Sequence, residues 1–184
     1  DMTAAVMAFP EYGDGGVESV TLWPHFWLPK AYAYKHRHDA DFLGWEAKGL
    51  LTLTEGNEIS TGEIYRKIQE WSQRFDVRGL FYDPYGATVL TQLIEQGLTD
   101  SRGNQFLDAL NIERFPIPQR GHVMSSAIDD FESRVRAGSI RHPKNAVLNW
   151  QVGNTGIEDS GGRTCLAKPE RDSVKKIDGV VAAV

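Results

Sequence analysis

The sequence predicts an α/β fold, and three stretches carry that expectation. Ser60-Thr61-Gly62-Glu63 opens a helix whose Ile64, Ile68, Trp71 and Phe75 recur at helical spacing, and Asp76 to Gly79 leads from it straight into the apolar run Leu80-Phe81-Tyr82. A second amphipathic helix follows over 88–96, then a strand over 112–117. Helix and strand in alternation point to layered α/β architecture. Residues 2–9 and 17–28 add two strands joined through Glu11-Tyr12-Gly13-Asp14-Gly15-Gly16, a loop that suits a hairpin.

With 184 residues, of which 41% are apolar and 24% charged, the chain can bury one core, so a single domain over 1–184 is expected. No apolar run approaches the roughly 18 residues of a membrane span, so no membrane partner is expected; nor is a secretory signal read. Cys165 is the single cysteine, which excludes an internal disulfide, fits a reducing intracellular setting and reads as a small buried residue. The net charge of −5 argues against strong nucleic-acid binding by bulk electrostatics, so any such contact must come from local patches. The opening Asp1-Met2-Thr3-Ala4 enters strand-like sequence without an initiator and suggests a fragment of a longer protein, with part of the first strand upstream.

Pro24 interrupts the second strand, implying an edge or bulge, and Pro29 ends it. Lys30 to Gly49 mixes Lys35, His36, Arg37 and His38 with Tyr32 and Tyr34 and reads as short helices. Basic and aromatic residues so interleaved can grip a phosphate backbone and stack bases; a solvated helical face is the simpler alternative. The two histidines lack the companions of a zinc site. Leu50 to Leu53 is a short strand.

The helix from Ser60 carries a capping box, in which the Ser hydroxyl and Glu63 carboxylate each satisfy an exposed amide. Leu80 to Tyr82 reads as a strand covered on both faces. Asp83 stands at its end, where open α/β sheets gather ligand sites; Asp83-Pro84-Tyr85-Gly86 equally fits a type I turn in which the acid bonds only its own backbone. In the helix over 88–96, Leu90, Leu93 and Ile94 face inward and Gly97 ends it. Residues 98–111 are polar and mixed.

His122 to Ala137 is a helix with Met124, Ile128, Phe131 and Val135 as its buried stripe, stopped by Gly138. Arg134, Arg136, Arg141, His142 and Lys144 then make a basic edge or a solvated face. Asn145 to Asn154 is helical, Gly153 to Gly162 a flexible loop with Glu158 and Asp159, and 163–167 a short strand. At the end Ile177, Val180, Val181 and Val184 share one helical face, with Asp178 at its border. An acid in a first helical turn is favoured by the dipole alone.

Two carboxylates held together stay ionised only with a cation between them, and magnesium fits a site of carboxylates, water and phosphate. Two such ions roughly 4 Å apart can hydrolyse a phosphodiester.

The ordered set Phe81-Tyr82-Asp83-Pro84-Tyr85-Gly86-Ala87, Met124-Ser125-Ser126-Ala127, Gly138-Ser139-Ile140-Arg141-His142-Pro143, Leu148-Asn149-Trp150 with Asn154, Leu166-Ala167-Lys168-Pro169 and Lys176-Ile177-Asp178-Gly179-Val180-Val181-Ala182 resembles the nuclease domain of tailed-phage large terminase subunits. The resemblance covers nearly the whole chain. It implies a ribonuclease H-like fold, with a central mixed β-sheet flanked by helices, and an endonuclease that uses two Mg2+ or Mn2+ ions to cut concatemeric viral DNA in the cytoplasm of the bacterial host. Implied partners are double-stranded DNA, a preceding ATPase domain, the small terminase subunit and the portal protein. No Gly-x-x-x-x-Gly-Lys-Ser/Thr phosphate loop of an ATPase occurs in this chain.

By the same resemblance Asp83 and Asp178 are the metal ligands, Asp1 a further candidate, Asp159 a neighbour, and Lys168 a residue facing phosphate. The family's first-strand acid is expected upstream of Asp1. Lys35, Arg37, Arg141, His142 and Lys144 are the candidate DNA contacts. Two other functions compete: a non-catalytic module gripping DNA or a portal partner through Lys30 to His38 and Arg134 to Lys144, and a phosphatase or other phosphoryl-transfer enzyme.

Overall fold

A computed structural model describes residues 1–119, 122–159, 161–170 and 174–184. In chain order its elements are β1 (Thr3–Gly13), β2 (Gly16–Pro29), α1 (Lys30–Lys35), α2 (Phe42–Ala47), β3 (Thr52–Thr54), α3 (Thr61–Arg74), β4 (Gly79–Tyr82) and α4 (Thr88–Gln96). There follow β5 (Leu98–Thr99), β6 (Gln105–Leu107), β7 (Glu113–Pro116), α5 (His122–Arg136), β8 (Ile140–Arg141), α6 (Ala146–Asn154), β9 (Gly156–Asp159), β10 (Thr164–Ala167) and α7 (Asp178–Ala183). The chain divides into two compact units, one of Asp1–Ile59 with Arg120–Val184, the other of Ser60–Gln119.

The first unit is built on the predicted hairpin. β1 and β2 pair antiparallel from Thr3↔Trp27 to Gly13↔Gly16, and the register slips between Glu11 and Tyr12. The two-residue turn works because Gly16 takes a φ of +113°, open to glycine without strain. On its other edge β2 pairs in parallel with β8 at Val20 and Thr21 and with β3 at Trp27 to Pro29. The sheet is therefore mixed. Pro24 falls between those two short partners, where the far edge of β2 carries no strand among the described residues, so its missing amide is tolerated as the sequence requires.

Phe26 and Leu28 of β2, Phe42 and Trp45 of α2, and Val147 and Leu148 of α6 form the core against this sheet. α7 packs on β1 and β2 and touches α6. Asn145 caps α6, its Oδ1 accepting from the amides of Val147 and Leu148 at 2.9 and 3.1 Å. Residues 156–159, expected as loop, form β9 and pair antiparallel with β10. Their ladder supplies the backbone bonds that the Gly-rich composition concealed. β10 is tied to α5 where the Thr164 amide donates to Ser125 Oγ at 3.1 Å. Cys165 is half-buried in β10, less enclosed than expected.

α5 buries Met124 and Ile128 as expected, but Val135 is 52% exposed. The inward stripe stops short of the helix end, and Gly138, at φ +69°, follows it.

The second unit packs α3 against α4 around Tyr65, Ile68, Ile94 and Ile112. Ser60 caps α3 by accepting from the Gly62 amide at 3.3 Å. The reciprocal half of the capping box is not made: Glu63 Oε2 is buried without a hydrogen-bond partner among the described residues. Tyr65, outside the expected stripe, is fully enclosed and its hydroxyl donates to the Asp108 carbonyl. α4 ends at Gly97, where φ is +69°. β5 and β6 form a short antiparallel pair within the polar 98–111 stretch.

β4 pairs in parallel with β7, from Gly79↔Glu113 to Tyr82↔Pro116. It is not covered on both faces. Phe81 is 67% exposed and stacks on Phe115 across the ladder, with ring centroids 4.9 Å apart. A three-residue apolar run does not reveal on which face its long-range partners will lie.

Candidate active site

Asp178 is the first residue of α7. Its Oδ2 is buried and has no hydrogen-bond partner among the described residues. Burial pushes the carboxyl above the ordinary carboxylate range, while a hydrogen bond from its own backbone amide and the nearby Lys168 and Lys176 charges pull the other way. An orphaned, desolvated carboxylate oxygen is costly to keep, and such groups concentrate where a protein binds cations or handles protons.

The turn carrying Asp178 is fixed from α6. The fully buried Gln151 accepts from the Gly179 amide through Oε1 at 2.6 Å and donates through Nε2 to Met2 Sδ at 2.9 Å. One helical turn on, Asn154 Nδ2 donates to the Lys176 carbonyl at 3.2 Å. Gly179 has no room for a side chain, since a Cβ there would lie 2.4 Å from Phe26 Cε1.

Lys176 is 5% exposed. Its ammonium donates to Asp1 Oδ1 and sits 4.6 Å from the centroid of the Tyr32 ring. Asp1 Oδ1 also accepts from the Met2 amide at 2.9 Å. The first unit thus brings Asp1, Lys168, Lys176 and Asp178 into one neighbourhood.

Asp83 belongs to the second unit, immediately after β4. Its Oδ1 accepts from the Tyr85 amide at 3.0 Å, so the turn-making role read in Asp83-Pro84-Tyr85-Gly86 is realised. That bond occupies one carboxylate oxygen and leaves the second available for other chemistry. Among the described residues no group of three or more His, Cys, Asp or Glu side chains is arranged to hold a metal ion.

The remaining candidates divide. Asp159 ends β9 and accepts from the Gly162 amide at 2.8 Å, a loop-closing bond. Lys168 directly follows β10 and is half-buried. The basic edge is largely neutralised: Arg141 pairs with Glu11 at 2.9 Å, Arg134 with Asp130 at 2.7 Å and Arg136 with Glu132 at 2.5 Å. In the other basic stretch Lys35 ends α1 exposed, Arg37 donates to the Tyr34 carbonyl at 3.0 Å, and His36 pairs with Asp39 at 2.8 Å. Lys144 is exposed at a φ of +54°, and His142 Nδ1 is buried without a hydrogen-bond partner among the described residues. Arginines already bonded to acids or carbonyls fit a solvated face better than a phosphate-gripping patch.

Sequence reasoning did not single out Gln151, and it met Lys176 only inside a longer motif. Nothing local marks a glutamine in an apolar helix as a clamp, although a fully polar side chain among Val147, Leu148 and Trp150 is itself a signal of a buried hydrogen bond.

The family model for the terminase large subunit, endonuclease domain, matches residues 1–184. The chain belongs to that family. Its relatives include Protein YmfN of Escherichia coli (strain K12), 25% identical over 191 residues, an alignment that takes in 100% of this chain and 39% of YmfN. The crystal structure of the HK97 bacteriophage large terminase matches with a TM-score of 0.71 at 24% identity, over 98% of this chain and 35% of that one. This terminase-family chain therefore spans well under half the length of both proteins. Its mixed sheet and flanking helices share their fold with part of the HK97 large terminase. No helix among the described residues is long and apolar enough to cross a membrane.

Proposed function

We propose that this terminase nuclease domain is a metal-dependent DNA endonuclease, of ribonuclease H-like fold, that cuts concatemeric viral DNA during packaging in the cytoplasm of the bacterial host. The observation that carries the proposal is the buried, unpartnered Oδ2 of Asp178, in a chain whose family is that of a nuclease. A hard divalent cation is the partner that such an oxygen fits. Asp178 and Asp83 would hold two Mg2+ or Mn2+ ions, with Asp1 as a further candidate ligand. Bound there, the ions would supply an activated water and stabilise the leaving oxygen of the phosphodiester.

The chain's own residues contribute position and charge. Gln151 and Asn154 fix the backbone on both sides of Asp178, so its carboxylate is held in place before any ligand arrives. The turn at Asp83 does the same for the second acid. Lys168, whose charge acts on Asp178, would meet a phosphate of the substrate. Double-stranded DNA is the substrate, and an ATPase domain, the small terminase subunit and the portal protein are the proposed partners.

Cleavage of supercoiled plasmid with Mg2+ or Mn2+ tests this, with the chain and with any longer form of the protein that includes it. Nicked and linear products that vanish in Asp83→Asn and Asp178→Asn are expected. Undiminished cutting by both variants would remove the proposal.

A further inference from the structure

Lys176 combines three features that ordinary lysines do not share. It is almost wholly enclosed, its ammonium is bonded to a single carboxylate, and an aromatic ring covers it: the partners are Asp1 and Tyr32. Burying an ammonium is expensive unless something nearby needs the charge. Asp1 alone is a poor reason, since its side chain is 68% exposed and water could serve it. The better reason is two residues along the chain, where Asp178 keeps a carboxylate oxygen buried and without a hydrogen-bond partner among the described residues. The Lys176 backbone is locked by Asn154, so the side chain leaves from a fixed point.

We infer that Lys176 is a positioning residue, an internal cation bonded to Asp1 and two residues from Asp178, that supports this corner of the fold in the absence of a divalent ion and weakens divalent-ion binding when one is offered. This rests on the nuclease proposal, because it presumes that Asp178 is a metal ligand. The electrostatics fix the direction. A fixed positive charge beside a carboxylate repels an incoming dication, and in a partly buried site the repulsion is poorly screened.

Mn2+ binding by titration calorimetry and thermal melting in EDTA or Mn2+ form the test, neither of which requires catalysis. Lys176→Met keeps the stem volume and removes the charge, Lys176→Arg keeps the charge, and Asp178→Asn removes the presumed ligand. Lys176→Met is expected to bind Mn2+ about tenfold more tightly, a change of about 1.4 kcal/mol, to melt lower than the parent in EDTA, and to gain more from added Mn2+; Lys176→Arg should follow the parent. If Lys176→Met does not fold, Lys176→Gln takes its place with the same expectation. Mn2+ affinity unchanged or weakened in the neutral variants, with binding still lost in Asp178→Asn, would overturn the role of Lys176 and leave the nuclease proposal standing. No Mn2+ binding that depends on Asp178 in any form would overturn both.

Discussion

Gln151 Oε1 accepts a hydrogen bond from the Gly179 amide at 2.6 Å, and this one bond ties the middle of α6 to the first turn of α7, beside Asp178. The same amide group reaches Met2 through its nitrogen, so one buried side chain joins the start of the hairpin to the last helix. Gly179 is closely packed, with Phe26 and Gln151 both within contact of any added carbon. Gly179→Ala is expected to destabilise the chain by about 1–3 kcal/mol through overpacking, read as a lowered midpoint in urea. A midpoint equal to that of the parent would mean that Phe26 yields freely.

Asp178 gives a pH-dependent prediction. Burial raises its folded-state pKa above the unfolded value of about 3.9, so the folded chain holds this proton to higher pH than the unfolded chain does. Stability therefore falls as pH rises from the unfolded value to the folded one, and the loss stays constant above it. Asp178→Asn removes the charge that is costly to bury. In EDTA its melting temperature should exceed that of the parent at pH 7 by about 3 °C per kcal/mol recovered, and the difference should shrink as the pH is lowered toward 4. A difference that does not depend on pH would contradict the burial argument.

Asp83 separates stability from function. An asparagine keeps the acceptor for the Tyr85 amide and loses only the charge. Asp83→Asn should melt within about 0.5 kcal/mol of the parent while losing metal-dependent cleavage. Asp83→Ala should lose cleavage as well, and a further stability increment of about 1 kcal/mol with the turn bond. Circular dichroism melts and plasmid gels on the same preparations make the comparison.

Two positions on α5 differ in cost although the sequence treats them alike. Ile128, nearly fully enclosed, should cost about 2–5 kcal/mol when cut to alanine. Val135→Ala, at a half-exposed position, should stay within about 0.5 kcal/mol. Equal losses in chemical denaturation would place Val135 back in the core.

These contrasts mark what the sequence could carry. The hairpin was legible because its turn is glycine-rich and its strands long, and α3 and α4 because Ser60, the apolar repeat and Gly97 are local signals that tertiary packing did not overrule. Phe81 was misjudged because a strand's covered face depends on where β7 and other distant partners lie. Val135 was misjudged because helical periodicity continues past the point where the core ends. β9 was missed because its pairing with β10 is long-range and its residues Gly156, Glu158 and Asp159 read as loop. At the candidate site the acids were legible as residues, but the enclosure of Lys176 and the clamp formed by Gln151 arise only when separate stretches of chain meet.

The central proposal is that Asp83 and Asp178 serve the same divalent ions, and a double-mutant cycle on Mn2+ affinity tests it most directly. Titration calorimetry on the parent, Asp83→Asn, Asp178→Asn and the double variant should show each single change weakening binding by at least about tenfold, a loss of about 1.4 kcal/mol, and the double variant losing clearly less than the sum. Mn2+ binding that ignores Asp83→Asn, or losses that add as for independent sites, would contradict it.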